Sequence, residues 1–126
     1  MPFSLPPVKS QKRLKVPVMV GEWGGGQERI SHVTFLLDMF DDYKWSQAYY
    51  CHSYFGEELL SALNRTYPVA VSGEIESYGM DREKNIFNLS FTHTKDVTGD
   101  TILYLHKKPK SIETDGEVHT VHKKRR

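Results

Sequence analysis

The stretch Pro17-Val18-Met19-Val20-Gly21-Glu22-Trp23-Gly24-Gly25-Gly26 decides how this chain is read. Val16 to Val20 is apolar, contains β-branched residues, and is too short for a helix of its own. A run without polar alternation is the pattern of a parallel strand covered on both faces. The glycines after Trp23 end it. From Gln27 to Tyr43, apolar residues recur at Ile30, Val33, Phe35, Leu36, Leu37, Met39 and Phe40, close to the helical period. Strand, glycine-rich loop and helix make one βα unit, with Glu22 where the strand meets the loop.

Working outward, Met1 to Lys15 carries prolines and a basic cluster (Lys9, Lys12, Arg13, Lys15) and reads as a lead-in or part of a helix. Trp45 to His52 is aromatic-rich and fits a second strand. Gly56 to Asn64 fits a short helix with Leu59, Leu60 and Leu63 on one face. After Arg65 the period changes. Val69–Val71, Ile75–Tyr78, Ile86–Phe91 and Thr101–Leu105 are short strand-like runs separated by turn residues. Phe87, Leu89 and Phe91 alternate with polar positions, as a half-buried strand requires. Residues 66–105 therefore read as antiparallel β-structure. Residues 106–126 hold little apolar material, for which disorder is the expectation.

Charge follows the same division. After His106 there are seven Lys/Arg against three Asp/Glu; before it, ten against thirteen. A mildly acidic body with a basic end gives no field extensive enough for nucleic acid. Cys51 is the only cysteine, so no internal disulfide forms, and no basic neighbour in sequence makes it a thiolate. No apolar run is long enough for a signal peptide or a membrane span. Two glycosylation triplets occur, at Asn64 and Asn88. Glu57 and Glu58 suit the N-terminus of a helix. His106, His119 and His122 lack the carboxylate support of a zinc site, and Lys123 to Arg126 reads as a solvated end.

A carboxylate just after a buried parallel strand sits where α/β barrels place their chemistry. It can attack an anomeric carbon if a second carboxylic acid about 5–5.5 Å away protonates the leaving oxygen. It can equally cap the following helix or pair with Arg29, and the residues alone leave both readings open.

Val18-Met19-Val20-Gly21-Glu22-Trp23-Gly24 resembles the seventh-strand motif of glycoside hydrolase family 5. Ser53-Tyr54-Phe55-Gly56-Glu57-Glu58-Leu59-Leu60, followed by Leu63-Asn64-Arg65-Thr66-Tyr67-Pro68-Val69-Ala70-Val71-Ser72-Gly73, is similar to the junction between barrel and C-terminal β-sandwich in endoglycoceramidases. The resemblance runs from about Gln11 to Leu105. It implies an α/β-plus-β fold: strands seven and eight of a (β/α)8 TIM barrel over residues 16–65, then a partial antiparallel β-sandwich over 66–105. Residues 1–15 form the lead-in and 106–126 the basic tail.

The resemblance further implies a retaining glycosidase that hydrolyses the bond between oligosaccharide and ceramide, with Glu22 as nucleophile. Trp23, Tyr49, Tyr50 and His52 would contact substrate. No metal and no cofactor is implied. Relatives carry a tryptophan near the end of strand eight; here Ala48 and Tyr49 stand in that region, so Tyr49 or Tyr50 would stack on the sugar instead. An acid/base glutamate preceded by asparagine belongs on strand four, yet the sequence contains no Asn-Glu pair. A complete barrel takes about 250 residues. The expected partners are thus a glycosphingolipid or other glycoside and a separate N-terminal barrel portion, and the chain by itself is expected to be inactive. Relatives are expected to be secreted or membrane-associated, although this chain shows no signal peptide. The alternative is a non-catalytic β-rich module that binds carbohydrate, lipid or a protein.

Overall fold

The computed structural model describes residues 6–24, 29–51 and 56–115. The chain order is α1 (Pro6–Leu14), β1 (Met19–Trp23), α2 (Ile30–Asp42), β2 (Ser46–Tyr49), α3 (Glu57–Leu63), β3 (Tyr67–Ala70), β4 (Gly73–Asp81), β5 (Ile86–His93) and β6 (Ile102–Tyr104). Among the described residues, no helix is long and apolar enough to cross a membrane.

The strands form three two-stranded sheets. β1 and β2 are parallel, joined by α2 as in a βαβ unit. β4 and β5 form a hairpin closed by Asp81 to Asn85, where Asp81 accepts the amides of Glu83 and Lys84 and Asn85 takes a positive φ of 56°. β3 pairs antiparallel with β6. Gly73 opens β4 because its backbone lies against β5: a Cβ there would sit 2.0 Å from the Thr92 carbonyl oxygen. On this hairpin Thr92 and Ser90 hydroxyls both donate to Glu76 and hold its carboxyl below the usual carboxylate range.

The hydrophobic core sits in the first half. Val33, Leu37 and Phe40 form the inward stripe of α2, with Trp45 and Leu59 completing the buried set among the described residues. Phe40 and Trp45 pack with Val18, Val20, Trp23, Leu36, Met39 and Tyr43. Val33, Leu37 and Leu59 pack with Trp23, Ile30, Tyr49, Ala62 and Leu63. Trp45 closes the base of this core by donating its indole N–H to Gln11 on α1 at 2.8 Å.

One expectation is corrected. The apolar run Val16 to Val20 is not a strand covered on both faces: β1 begins only at Met19, and Met19 is 68% exposed. Val18 and Val20 turn toward α2 while Met19 faces away, so the run is apolar on both faces but covered on one. Pro17, without an amide hydrogen, stands outside the ladder.

The second half is fastened to the first by charge. Asp41 lies on the buried side of α2, 5% exposed, and both its oxygens accept from Arg65, with Nη2 at 2.5 Å from Oδ1 and Nη1 on Oδ2. Arg65 also reaches the Leu37 carbonyl, and the Tyr78 hydroxyl on β4 donates to Asp41. Burial pushes the Asp41 carboxyl up, with Arg65 working against that shift. Burial, with the Asp41 charge adding to it, pushes the Tyr78 phenol up to about 12. At the surface Arg82 forks onto Asp38 (Nη2–Oδ1 2.7 Å, Nε–Oδ2 3.2 Å), and Lys44 donates to the Glu76 carbonyl at 2.7 Å. Thr66, buried just before β3, shares a 3.0 Å hydrogen bond with His106 beyond β6.

Candidate active site at the end of β1

In β1 the inward residues are Val20 and Trp23, three apart where a regular strand would space them by two. The ladder shows why: Val20 pairs with Gln47 and Trp23 with Tyr49, so the register shifts between them. Two consecutive residues, Gly21 and Glu22, are left on the outside of this irregularity, and both are exposed. Such bulges re-aim side chains and occur beside active sites. Here the irregularity keeps Trp23 in the core and leaves Glu22 in solvent at the C-terminal end of a parallel strand.

That strand end is held firmly. Trp23 packs edge-on against Phe40 (centroids 5.2 Å apart) and Tyr49 (4.9 Å), and its indole N–H donates to the Gln47 side chain. The Tyr50 amide donates to the Trp23 carbonyl at 2.8 Å, continuing the parallel pairing past β2. Gly24 adopts φ +91°, and the Tyr49 ring occupies the space a Cβ would need, 2.2 Å from it. Only glycine meets both conditions.

The structure therefore brings Glu22, Trp23, Tyr49 and Tyr50 together at one end of the β1–β2 pair. Glu22 and Tyr50 are exposed; Trp23 and Tyr49 are half-buried and lean on each other and on α2. His52, the remaining residue expected at the site, lies outside the described residues, as do His119, His122 and the basic run from Lys123. Cys51 is half-buried. Glu57 and Glu58 occupy the first turn of α3, where the helix dipole favours carboxylates. Arg29 stands just before α2 and makes no side-chain cap.

Sequence reasoning did not single out Asp41 or Gln47. Asp41 had a visible signal: it falls on the same helical stripe as Val33, Leu37 and Phe40, where an acidic residue needs a partner. Gln47 had none, because its role depends on the cross-strand alignment.

Around the Asp41–Arg65 pair lies an open groove of about 220 Å³, bordered by Asp38, Asn64, Thr66, Met80, Arg82 and His106. Its charged groups are already paired with one another, so its geometry fits a seam between the two halves.

No curated protein and no solved structure matches the chain. Residues 65–125 match the model of the glycoside hydrolase family 5 C-terminal domain, beginning at the arginine that grips Asp41. The described part of the matched segment, residues 65–115, is the strand-rich half with its small antiparallel sheets, and its likeness is to the C-terminal domain of a family of glycoside hydrolases.

Proposed function

We propose that this chain is the C-terminal part of a retaining, endoglycoceramidase-like glycosidase in which Glu22 is the nucleophile. The observation that carries this reading is the irregularity in β1, which exposes Glu22 at the C-terminal end of a parallel strand while Trp23 stays packed on α2. A family 5 C-terminal domain follows about forty residues later. In this reading residues 16–65 are the last two βα units of a barrel, and 66–105 the beginning of its β-sandwich. The covered side of β1 faces its helix and the bare side faces the barrel interior.

The chemistry is a double displacement. A Glu22 carboxylate oxygen attacks the anomeric carbon, and the bond from that carbon to the ceramide oxygen breaks. That oxygen takes its proton from a second carboxylic acid, and water then releases the sugar from Glu22 with retention. Tyr50 and His52, with the outer edges of Trp23 and Tyr49, border the sugar. The acid comes from a barrel portion bearing an Asn-Glu strand, since the sequence has no such pair. Without it the general-acid contribution, about 10²–10⁴-fold, is lost.

A fluorescent ganglioside, and a 2-fluoro glycosyl inhibitor that arrests the covalent intermediate, test this directly. The chain is assayed alone and joined to the first six βα units of a family 5 relative. The expected result is no turnover alone, turnover when joined, and inhibitor label on the peptide holding Glu22. Label on another carboxylate, or turnover by the joined protein that survives Glu22→Gln, overturns the proposal.

A further inference from the structure

The two Asn-x-Ser/Thr triplets of the sequence, at Asn64 and Asn88, fold into opposite settings. Both fit the acceptor rule for N-linked glycans, in which the asparagine is modified and a hydroxyl residue stands two positions on. In the first triplet every residue is engaged. Asn64 ends α3, and its Oδ1 accepts the Tyr104 hydroxyl at 2.8 Å. Arg65 grips Asp41, while Thr66 is buried and shares its hydroxyl with His106 at 3.0 Å. Presenting this triplet to an enzyme means breaking the ion pair that fastens the two halves.

The second triplet lies on β5. Asn88 and Ser90 are exposed and share the outer face of the hairpin with Thr92, while Phe87, Leu89 and Phe91 alternate onto the other face and are half-buried. Asn88 pairs with Gly79 on β4, and a Cβ placed at Gly79 would meet nothing within 4 Å. The cross-strand neighbour of Asn88 therefore puts no side chain beside it. An open groove of about 370 Å³, bordered by Asp42, Ser77 and Asp81, leaves further room. The Ser90 hydroxyl donates to Glu76 at 2.7 Å, an exposed bond that water can replace. No residue of β4 or β5 is buried, so opening this hairpin exposes little and costs little.

We propose that Asn88, and not Asn64, is an acceptor for an N-linked glycan from a lipid-diphosphate-linked oligosaccharide. The Asn88 side-chain nitrogen bonds to C1 of the first sugar. The C1–O bond to the diphosphate breaks, the lipid diphosphate leaves with the electron pair, and the amide gives up one proton to a base on the transferase. The glycan then stands in solvent on the outer face of the hairpin, where such bulky polar groups are accommodated. The inference rests on the two triplets alone and holds whether or not Glu22 is a nucleophile.

Transfer to the full chain by a purified oligosaccharyltransferase with its lipid-linked donor tests this. Peptides spanning residues 60–70 and 84–94 serve as acceptors free of the fold. Mass spectrometry after digestion assigns each glycan to its asparagine. Both peptides are expected to be accepted. In the chain, Asn88 should be modified within about tenfold of its peptide's rate. Asn64 should be at least about a hundredfold slower than in its own peptide, because the Arg65–Asp41 pair must open first. Asn88→Gln should abolish the product, and Asn64→Gln should leave it unchanged. The proposal is overturned by an unmodified Asn88 in the chain, by refusal of the 84–94 peptide, or by transfer to Asn64 as fast in the chain as in its peptide.

Discussion

The two halves of this molecule are built on different physics. Residues 6–63 hold all the buried apolar side chains among those described, Val33, Leu37, Phe40, Trp45 and Leu59. Residues 65–115 hold one buried residue, Thr66, and it is polar. The first half is stabilised by removing apolar surface from water; the second holds together through strand ladders and leans on α2 through Asp41, Asp38 and their arginines. Glu22 lies in the half with a core, and the family match covers the half without one. In the proposed function Glu22 needs a rigid mount, and the packed ring of Trp23, Phe40 and Tyr49 supplies it.

Cutting the link between the halves should have the largest effect. Arg65→Met leaves the Asp41 carboxylate buried beside α2 without its cation, at a cost of about 3–5 kcal/mol. Denaturant unfolding should show the loss. Arg65→Met combined with Asp41→Leu should recover most of it, because an apolar pair needs no charge compensation. A double variant as unstable as the single one would mean that the pair does more than fasten the halves.

Within the halves, matched truncations should diverge. Leu37→Ala removes a side chain that is only 1% exposed, and cavity formation makes this worth about 2–5 kcal/mol. Ile102→Ala on the β3–β6 sheet, where the side chain is 52% exposed, should fall within about 0.5 kcal/mol. Equal losses in thermal melts would show that Ile102 is covered in solution, and ultracentrifugation would then tell whether by a second copy.

Much of this contrast could be read before the structure. The stripe Val33, Leu37, Phe40 predicted α2, and the Phe87, Leu89, Phe91 alternation predicted β5, because both periods repeat often enough to outweigh local exceptions. The position of Glu22 at a strand end was visible in the glycines that follow it. The irregularity that exposes Glu22 was not, since it arises from the alignment of Val20 with Gln47 and Trp23 with Tyr49. Nor did the pattern distinguish a strand apolar on two faces from one covered on two: Met19 is apolar yet exposed. The partition into three small sheets was likewise illegible, because pairing β3 with β6 joins residues more than thirty apart.

The exposed counterpart of the central ion pair should matter much less. Asp38 and Arg82 join the same two halves, but about half of each side chain is in solvent. Arg82→Ala should cost no more than about 1 kcal/mol, and raising the salt concentration should shrink even that difference. A loss as large as that of Arg65→Met would show the seam to be dry, contrary to the exposure of both partners.

The subtlest probe of the seam is alkaline pH. The Tyr78 phenol is pushed up to about 12, first by burial and then by the Asp41 charge, whereas its ordinary value is 10.0. Between those two values the unfolded chain has lost this proton and the folded chain keeps it. Stability therefore falls as pH rises through this window, and below pH 10 the contribution is fully present. Tyr78 is only half-buried, so water screens the effect and the slope should be shallow. Denaturant midpoints measured between pH 9 and 12 should decline more steeply for the native sequence than for Tyr78→Phe, which has no proton to lose. Asp41→Asn should also flatten the decline, since it removes the charge that opposes the phenolate. Identical slopes for all three chains would mean that β4 does not rest on α2 in solution, and that the two halves are joined only by the chain between them.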